Sequence, residues 1–404
     1  MNEPKSKSHL NYTWVVLALI TGMHAMNIFS GRSIVPLSPL IQSELELSHT
    51  QIGMFTSVYF AGAFCFSFPM GWLVDKIGVY WTMPLGQLIV GTFIFSISFA
   101  DSFIQICIML FLAGIGHAAI NPATAKVVMA WFPLKRRAIA MGFKQTGVPI
   151  GGASAAFLLP ALSVNLGWRN ALVISGLVSI VSVVLSFLFY RKPVYEKQNY
   201  FPASLAVSRL PAIMKNRDIM LLSVLMIGFL MLQSALETYL VLYCIDVLNL
   251  TLITSGLMLA ATQIGAVIGR VGWGPVSDIL LRARRKIVLI IIGAISSVMC
   301  FSFALLGSHM PLWIIGVLVL IFGACAIGWN AVYIVLVVEL AGRGREGRAL
   351  GISLTIAFIG HLIGPPIFGY CVDYFGSYTA SWLVFCIMMI VVTSLINLIH
   401  EPAK

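Results

Sequence analysis

The sequence predicts an all-α integral membrane protein: twelve transmembrane helices in two pseudo-symmetric six-helix bundles, with both termini cytoplasmic. Three observations predict it. The 404 residues are 59% hydrophobic and only 10% charged, with a mean hydropathy of +0.97, whereas soluble domains carry roughly 25% charged residues. The apolar residues fall in long runs of at least the ~20 needed to cross a ~30 Å hydrocarbon core. Charge alternates by loop. Of the 25 Lys and Arg, four lie inside apolar runs and one, Arg169, lies in a loop of the opposite set. The remaining 20 (25 − 4 − 1) lie at the termini and in every second loop, which places those segments in the cytoplasm.

The spans follow in order at 13–40, 49–74, 79–99, 103–131, 137–163, 167–190, 219–245, 252–277, 286–306, 311–340, 348–371 and 379–399. The first follows Lys5 and Lys7 as a signal peptide would. It is too long for one and lacks a small-x-small cleavage site, so it is expected to remain as a helix. Residues 1–190 then form an N-terminal bundle and 219–404 a C-terminal bundle. The connection at 191–218 is the only long polar one, and 204–216 within it reads as an amphipathic helix on the membrane surface. The loops opposite the basic ones hold Glu44, Glu46, Asp101, Asp246 and Asp373 beside Arg169.

The two halves repeat. Gly71-x-x-x-Asp75 after the second span matches Gly274-x-x-x-Asp278 after the eighth, an offset of 278 − 75 = 203. Arg137-Ala-Ile opens the fifth span as Arg348-Ala-Leu opens the eleventh, an offset of 348 − 137 = 211. Both of these spans carry Gly/Pro clusters, Gly147-Val-Pro-Ile-Gly-Gly152 and Gly360-His-Leu-Ile-Gly-Pro-Pro366. Repeats of this length suggest six-helix halves related by an axis along the membrane normal, with a binding site near the midplane.

The net charge of +11 belongs to this topology, since no basic face interleaved with aromatics points to nucleic acid. All seven cysteines lie in apolar runs without metal or redox spacing and read as small packing residues. No phosphate loop, nucleophile–base set or zinc signature is present, so neither an enzyme nor a bound cofactor is expected.

The segment Gly71-x-Leu73-x-Asp75-Lys76-x-Gly78 resembles the signature loop of the major facilitator superfamily, and the resemblance extends over essentially the whole chain. Val79 and Tyr80 stand where that family usually continues with basic residues. The resemblance implies a multi-pass transporter of the cell membrane, working by alternating access. Glycines in this loop are read as allowing close helix approach, and Asp75 and Asp278 as braces of the resting conformation. Gly269-Arg270-x-x-Trp273-Gly274-x-x-Ser277-Asp278 is similar to the eighth helix of monocarboxylate and oxalate carriers, where an arginine engages the substrate carboxylate.

Charges inside the bilayer are costly, about +2.5–3.5 kcal/mol at the centre on insertion scales, and those retained usually face a cavity. Five are found: Arg32, Lys126, Lys144, Glu237 and Arg270. Four cations against one acid favour an anionic substrate. Arg270, with a planar fork suited to carboxylate, is the first candidate contact, and Lys144 the second. Lys126 ranks lower, because a lysine near the interface snorkels. Arg32 and Glu237, repeat counterparts at 237 − 32 = 205, are expected to pair near the outer mouth, with Glu237 carrying the coupling proton. Neutral polar residues complete the cavity: Asn27, His117, Asn121, Gln145, Gln233, Tyr239, Gln263, Asn330, Tyr333 and His361. The family's cavity helices (first, fourth, seventh and tenth) put Asn121, Tyr239 and Asn330 first. Proton-coupled uptake of a small organic anion by a monomer is the function expected. A drug or metabolite exporter is the alternative, although Val148-Pro-Ile-Gly-Gly152 lacks the preceding Gly and is one residue short of the exporter pattern. A transporter-like receptor is the third reading, disfavoured because the longest inner loop is 191–218.

Overall fold

The computed structural model describes residues 7–191, 215–342 and 345–401, and the regular structure among them is helical throughout. The amphipathic helix expected over 204–216 falls almost wholly outside the described residues. Among the described residues, seven helices precede the central connection: α1 (Lys7–Gly31), α2 (Ile34–Leu45), α3 (His49–Ile77), α4 (Val79–Ile97), α5 (Phe103–Trp131), α6 (Leu134–Gln145) and α7 (Gly147–Phe189). Eight follow: α8 (Arg217–Asp246), α9 (Leu252–Pro275, continued by a π-helical turn Val276–Leu280), α10 (Arg285–Leu305), α11 (Leu312–Ala326), α12 (Asn330–Ala341), α13 (Glu346–Ala357), α14 (Ile359–Phe375) and α15 (Tyr378–Leu395). Some of their starts carry polar caps that satisfy orphan backbone donors. Ser102 accepts from the Gln105 amide, Thr251 from that of Thr254, and Asn216 from those of Asp218 and Ile219.

Among the described residues, eleven helical stretches are long and apolar enough to cross a membrane, against twelve expected. The difference lies in Ile139–Phe189, a stretch of 51 residues. Gly167 within it has φ 78° and ψ 158°, a backbone conformation open essentially to glycine alone, so the helix breaks there. At 1.5 Å per residue the stretch would span about 76 Å if straight, more than twice a hydrocarbon core. Four spans are interrupted elsewhere: at Arg32–Ser33, at Thr146, at Ile327–Trp329 and at Phe358.

The chain forms two compact units, residues 1–45 with 58–198 and residues 46–57 with 199–404. The opening turns of α3 therefore belong with the second unit and the rest of α3 with the first. In the first unit α4 packs on α5 and α7, and α1 on α7. In the second, α9 packs on α11, α10 on α15, and α8 on α13 and α14.

The same glycine crossings recur in both. A Cβ on Gly114 would overlap the Tyr59 carbonyl and one on Gly62 the Phe111 carbonyl; in the second unit, Gly323 stands in this way against Thr262 and Gly265 against Leu320. Gly151 meets the Ala25 backbone and Gly364 the Met231 backbone. In lipid, where helices gain no hydrophobic drive to associate, such close backbone approach supplies the packing.

Candidate functional site

Loop charges meet as the alternation of loops requires. Arg169 pairs with Glu44 and, at 3.1 Å, with Asp101, joining three loops of one set. In the second unit Asp373 accepts from the His49 amide (2.9 Å), His49 Nδ1 (2.9 Å), the Thr50 amide (2.8 Å) and Thr50 Oγ (2.6 Å). His49 Nε2 stands 3.8 Å from Asp246, which also accepts from the Tyr378 hydroxyl. Asp373 thus caps α3, a favourable place for negative charge.

The signature loop divides between two jobs. Asp75 binds Lys126 Nζ at 3.1 Å, and that ammonium also donates to the Val74 carbonyl, so Lys126 ties α5 to the end of α3. Asp278 pairs with Arg285, which also reaches Ser277 and stands 3.6 Å from Glu339. Gly78 has φ 79° and is required by backbone conformation. Gly71 is not a close-approach glycine, because a Cβ there would meet nothing within 4 Å. Lys76 lies over the Trp72 ring at 4.7 Å.

Inside the first unit, Lys144 is 2% exposed and donates to Asn121 Oδ1 at 2.7 Å. It sits at the end of α6, beside the interruption at Thr146. Asn121 itself is exposed. A polar amide that holds an ammonium in the middle of a membrane helix faces water rather than lipid. Arg32 occupies the interruption between α1 and α2, and its charge acts on Tyr59 and His117. One turn before Asn121, His117 Nδ1 lies 2.6 Å from Asn27 Oδ1. Asn27 donates to Gln87 Oε1 (3.3 Å), which also accepts from Ser179 (2.8 Å), while Gln87 Nε2 donates to the Met23 carbonyl (2.7 Å).

Inside the second unit, Glu237 is 6% exposed and accepts from Gln263 Nε2 at 3.2 Å. Gln233 lies one turn earlier on α8 and is also buried. Tyr239 is fully buried, shares its proton between the His49 and Pro365 carbonyls (2.6 and 2.9 Å) and stacks on Phe368. In this conformation it holds the start of α3. Asn330 opens α12 after an interruption and donates to the Ile327 carbonyl. Arg270 lies on α9 between Gly269, in backbone contact with Ala324, and Trp273, whose indole donates to the Ala324 carbonyl. Tyr333 is bonded to Ser353, and Ser353 to Ser223.

Sequence reasoning missed the amide chain through Gln87 and the Asp373 cap. Gln87 is a lone amide in an otherwise apolar span, a signal that could have flagged it.

The family model described as Major Facilitator Superfamily matches residues 17–360. The chain belongs to that superfamily. It is a multi-pass membrane transporter rather than an enzyme. Relatives include an uncharacterized transporter of Bacillus subtilis, YybO, 24% identical over 95% of this chain and 93% of its own. The hexuronate transporter of the same organism is 24% identical over 86% and 85%. A probable L-galactonate transporter of Escherichia coli is 31% identical over 37% and 33%. Among solved structures, a bacterial homolog of the human lysosomal transporter Spinster superposes with a TM-score of 0.78 at 16% identity, over 98% of this chain and 97% of that one. The nucleoside transporter NupG gives a TM-score of 0.80 at 14% identity, over 96% and 100%. These likenesses are of fold.

Proposed function

We propose that this superfamily member takes up a small organic acid together with protons, and that Lys144 supplies the central positive charge. One observation carries the reading. The Lys144 ammonium is buried, yet among the described residues its hydrogen-bond partner is a neutral amide oxygen. An ammonium has three donors, and burying it without a counter-charge costs several kcal/mol. A carboxylate arriving beside Asn121 provides both the charge and the missing acceptors. The relatives named for hexuronate and L-galactonate transport support an acid of this kind.

An inside-negative potential opposes entry of a monovalent anion by about 2.3 kcal/mol per 100 mV, so concentrative uptake needs a companion positive charge. Glu237, buried beside Gln263, is the proposed proton site of the second unit, where Arg270 and Asn330 are proposed substrate contacts; Arg32 is a proposed contact in the first. The reading includes cytoplasmic termini, a single chain as working unit, and twelve crossings with two in Ile139–Phe189.

The test is uptake of labelled hexuronates, aldonates and simple carboxylates into proteoliposomes, with and without an inward proton gradient. Gradient-stimulated uptake of an acid, with KM raised about 10–100-fold in Lys144→Gln, is the expected result, since hydrogen bonds to charged groups contribute about 1.5–3 kcal/mol. Absence of uptake of every acid, in vesicles competent for another substrate, would overturn it in favour of export.

A further inference from the structure

We infer that His117 is a hydroxyl-reading residue: its Nε2 accepts a hydrogen bond from a substrate hydroxyl and so selects hydroxylated acids over plain carboxylates. The inference rests on the organic-acid reading above and specifies its substrate class.

A backbone carbonyl can only accept. Gln87 places one end of its amide 2.7 Å from the Met23 carbonyl, so that end is the NH2 group. The other end is the oxygen, and it accepts from Ser179. Whatever Asn27 presents to that oxygen must donate, so it is Nδ2. Asn27 therefore turns Oδ1 toward His117, and an amide oxygen only accepts. His117 Nδ1 at 2.6 Å accordingly carries the hydrogen. In the neutral imidazole this makes Nε2 the acceptor, a tautomer assigned by three successive partners on two other helices.

The acceptor also stands in the right place. His117 and Asn121 are four residues apart on α5 and share a face, and Asn121 on that face is exposed to water with Lys144 bonded to it. His117 is itself half-buried, with Asn27 fully buried behind it. A substrate with its carboxylate at Lys144 therefore meets an imidazole acceptor about one helical turn, ~5–6 Å, away. That spacing suits a hydroxyl a few carbons from the carboxylate.

Beside the imidazole lies Tyr59, with ring centroids 5.4 Å apart. Its hydroxyl is buried against Gly31 and makes no hydrogen bond among the described residues. An unmet buried donor is costly, and a substrate oxygen that accepts from it would relieve that cost.

The experiment uses the full chain in proteoliposomes and inhibits labelled hexuronate uptake with that hexuronate and with analogues lacking one ring hydroxyl each. Wild type is expected to prefer the parent over at least one deoxy analogue by about 10-fold or more, the effect of a site built around a substrate hydroxyl. In His117→Asn, which retains a donor toward Asn27 and deletes Nε2, that ratio is expected to fall to within about 3-fold of unity. Tyr59→Phe breaks no internal hydrogen bond, so it carries the test should His117→Asn not fold; it is expected to lower the same ratio about 3-fold. Equal inhibition by parent and every deoxy analogue in wild type, or a ratio unchanged in both variants, would overturn the inference while leaving the organic-acid reading intact. No uptake of any acid by wild type would overturn both.

Discussion

The two units share their packing and differ in their charge. In each, helices cross where a glycine lies against a carbonyl of its neighbour, Gly114 against Tyr59 in the first and Gly323 against Thr262 in the second. In each unit the chain reverses at a glycine with positive φ, Gly167 (78°) and Gly376 (62°), at an offset of 376 − 167 = 209. Beside those glycines the signs oppose: Arg169 gathers Glu44 and Asp101, whereas Asp373 gathers His49 and Thr50. The interiors differ likewise, with Lys144 buried in one and Glu237 in the other. Backbone crossings depend on shape alone and leave the polar positions free to differ. A protein built on a repeat can therefore keep two equal scaffolds while placing a different buried charge in each.

The largest expected effect tests the equality of the scaffolds. Gly114→Val and Gly323→Val place side-chain atoms onto backbone oxygens, which cannot rotate away. Each is expected to cost on the order of 3 kcal/mol or more, seen as loss of monodisperse protein and a lowered unfolding temperature in detergent. Gly142→Ala and Gly272→Ala, where a Cβ meets nothing, are expected to leave the midpoint unchanged or raise it slightly. If one half tolerated its valine, the shared-scaffold comparison would fail.

Next comes the division of labour. Lys144→Met is expected to weaken both gradient-driven uptake and substrate exchange, by about 10–100-fold in KM. Glu237→Gln is expected to abolish stimulation by a proton gradient while retaining exchange of substrate across the membrane. Paired transport and counterflow assays distinguish the two, and pH-dependent uptake surviving in Glu237→Gln would remove the proton role.

Much of this comparison was legible in the sequence. Hydropathy located the spans because burial in lipid demands unbroken apolar runs, and the Asp75/Asp278 offset exposed the repeat. The interruptions at Arg32–Ser33, Thr146, Ile327–Trp329 and Phe358 were not read as breaks, although Arg32, Lys144, Gly328 and Gly360 stand at or beside them, because hydropathy averaged over a whole span does not resolve a break of one to three residues. Tyr239 illustrates another limit. Its helix could be assigned to the cavity wall, but not that its hydroxyl is taken up by the His49 and Pro365 carbonyls. The His117–Asn27–Gln87 chain joins residues 90 and 60 positions apart, and a single sequence does not pair them.

The two loop clusters predict intermediate effects of unequal size. Asp373→Asn removes the charge that caps α3 and disrupts a carboxylate with four donors, an expected loss of about 1–2 kcal/mol. Arg169→Ala, at a side chain 34% exposed, is expected to cost no more than about 1 kcal/mol because water screens the pairs. Thermal unfolding of the two variants side by side measures the difference, and a larger loss for Arg169→Ala would reverse the ranking.

The smallest effect lies where the halves part company in backbone. The turn after α3 uses Gly78 at φ 79°, and the turn at the repeat position after α9 reverses through Arg282 (φ 49°) and Ala283 (φ 60°), neither of them glycine. A left-handed conformation costs an L-residue with a Cβ roughly 1 kcal/mol, and the Ala283 amide is nonetheless held there by a 2.7 Å bond to the Ser277 carbonyl. Replacing Ala283 with glycine removes that cost but adds backbone freedom to the unfolded chain, so the net gain expected is only a few tenths of a kcal/mol. A slightly raised unfolding temperature in Ala283→Gly, together with a lowered one in Gly78→Ala, would show that the second turn keeps a strain the first avoids. A lowered midpoint in Ala283→Gly would mean that the methyl group contributes packing there which outweighs the strain.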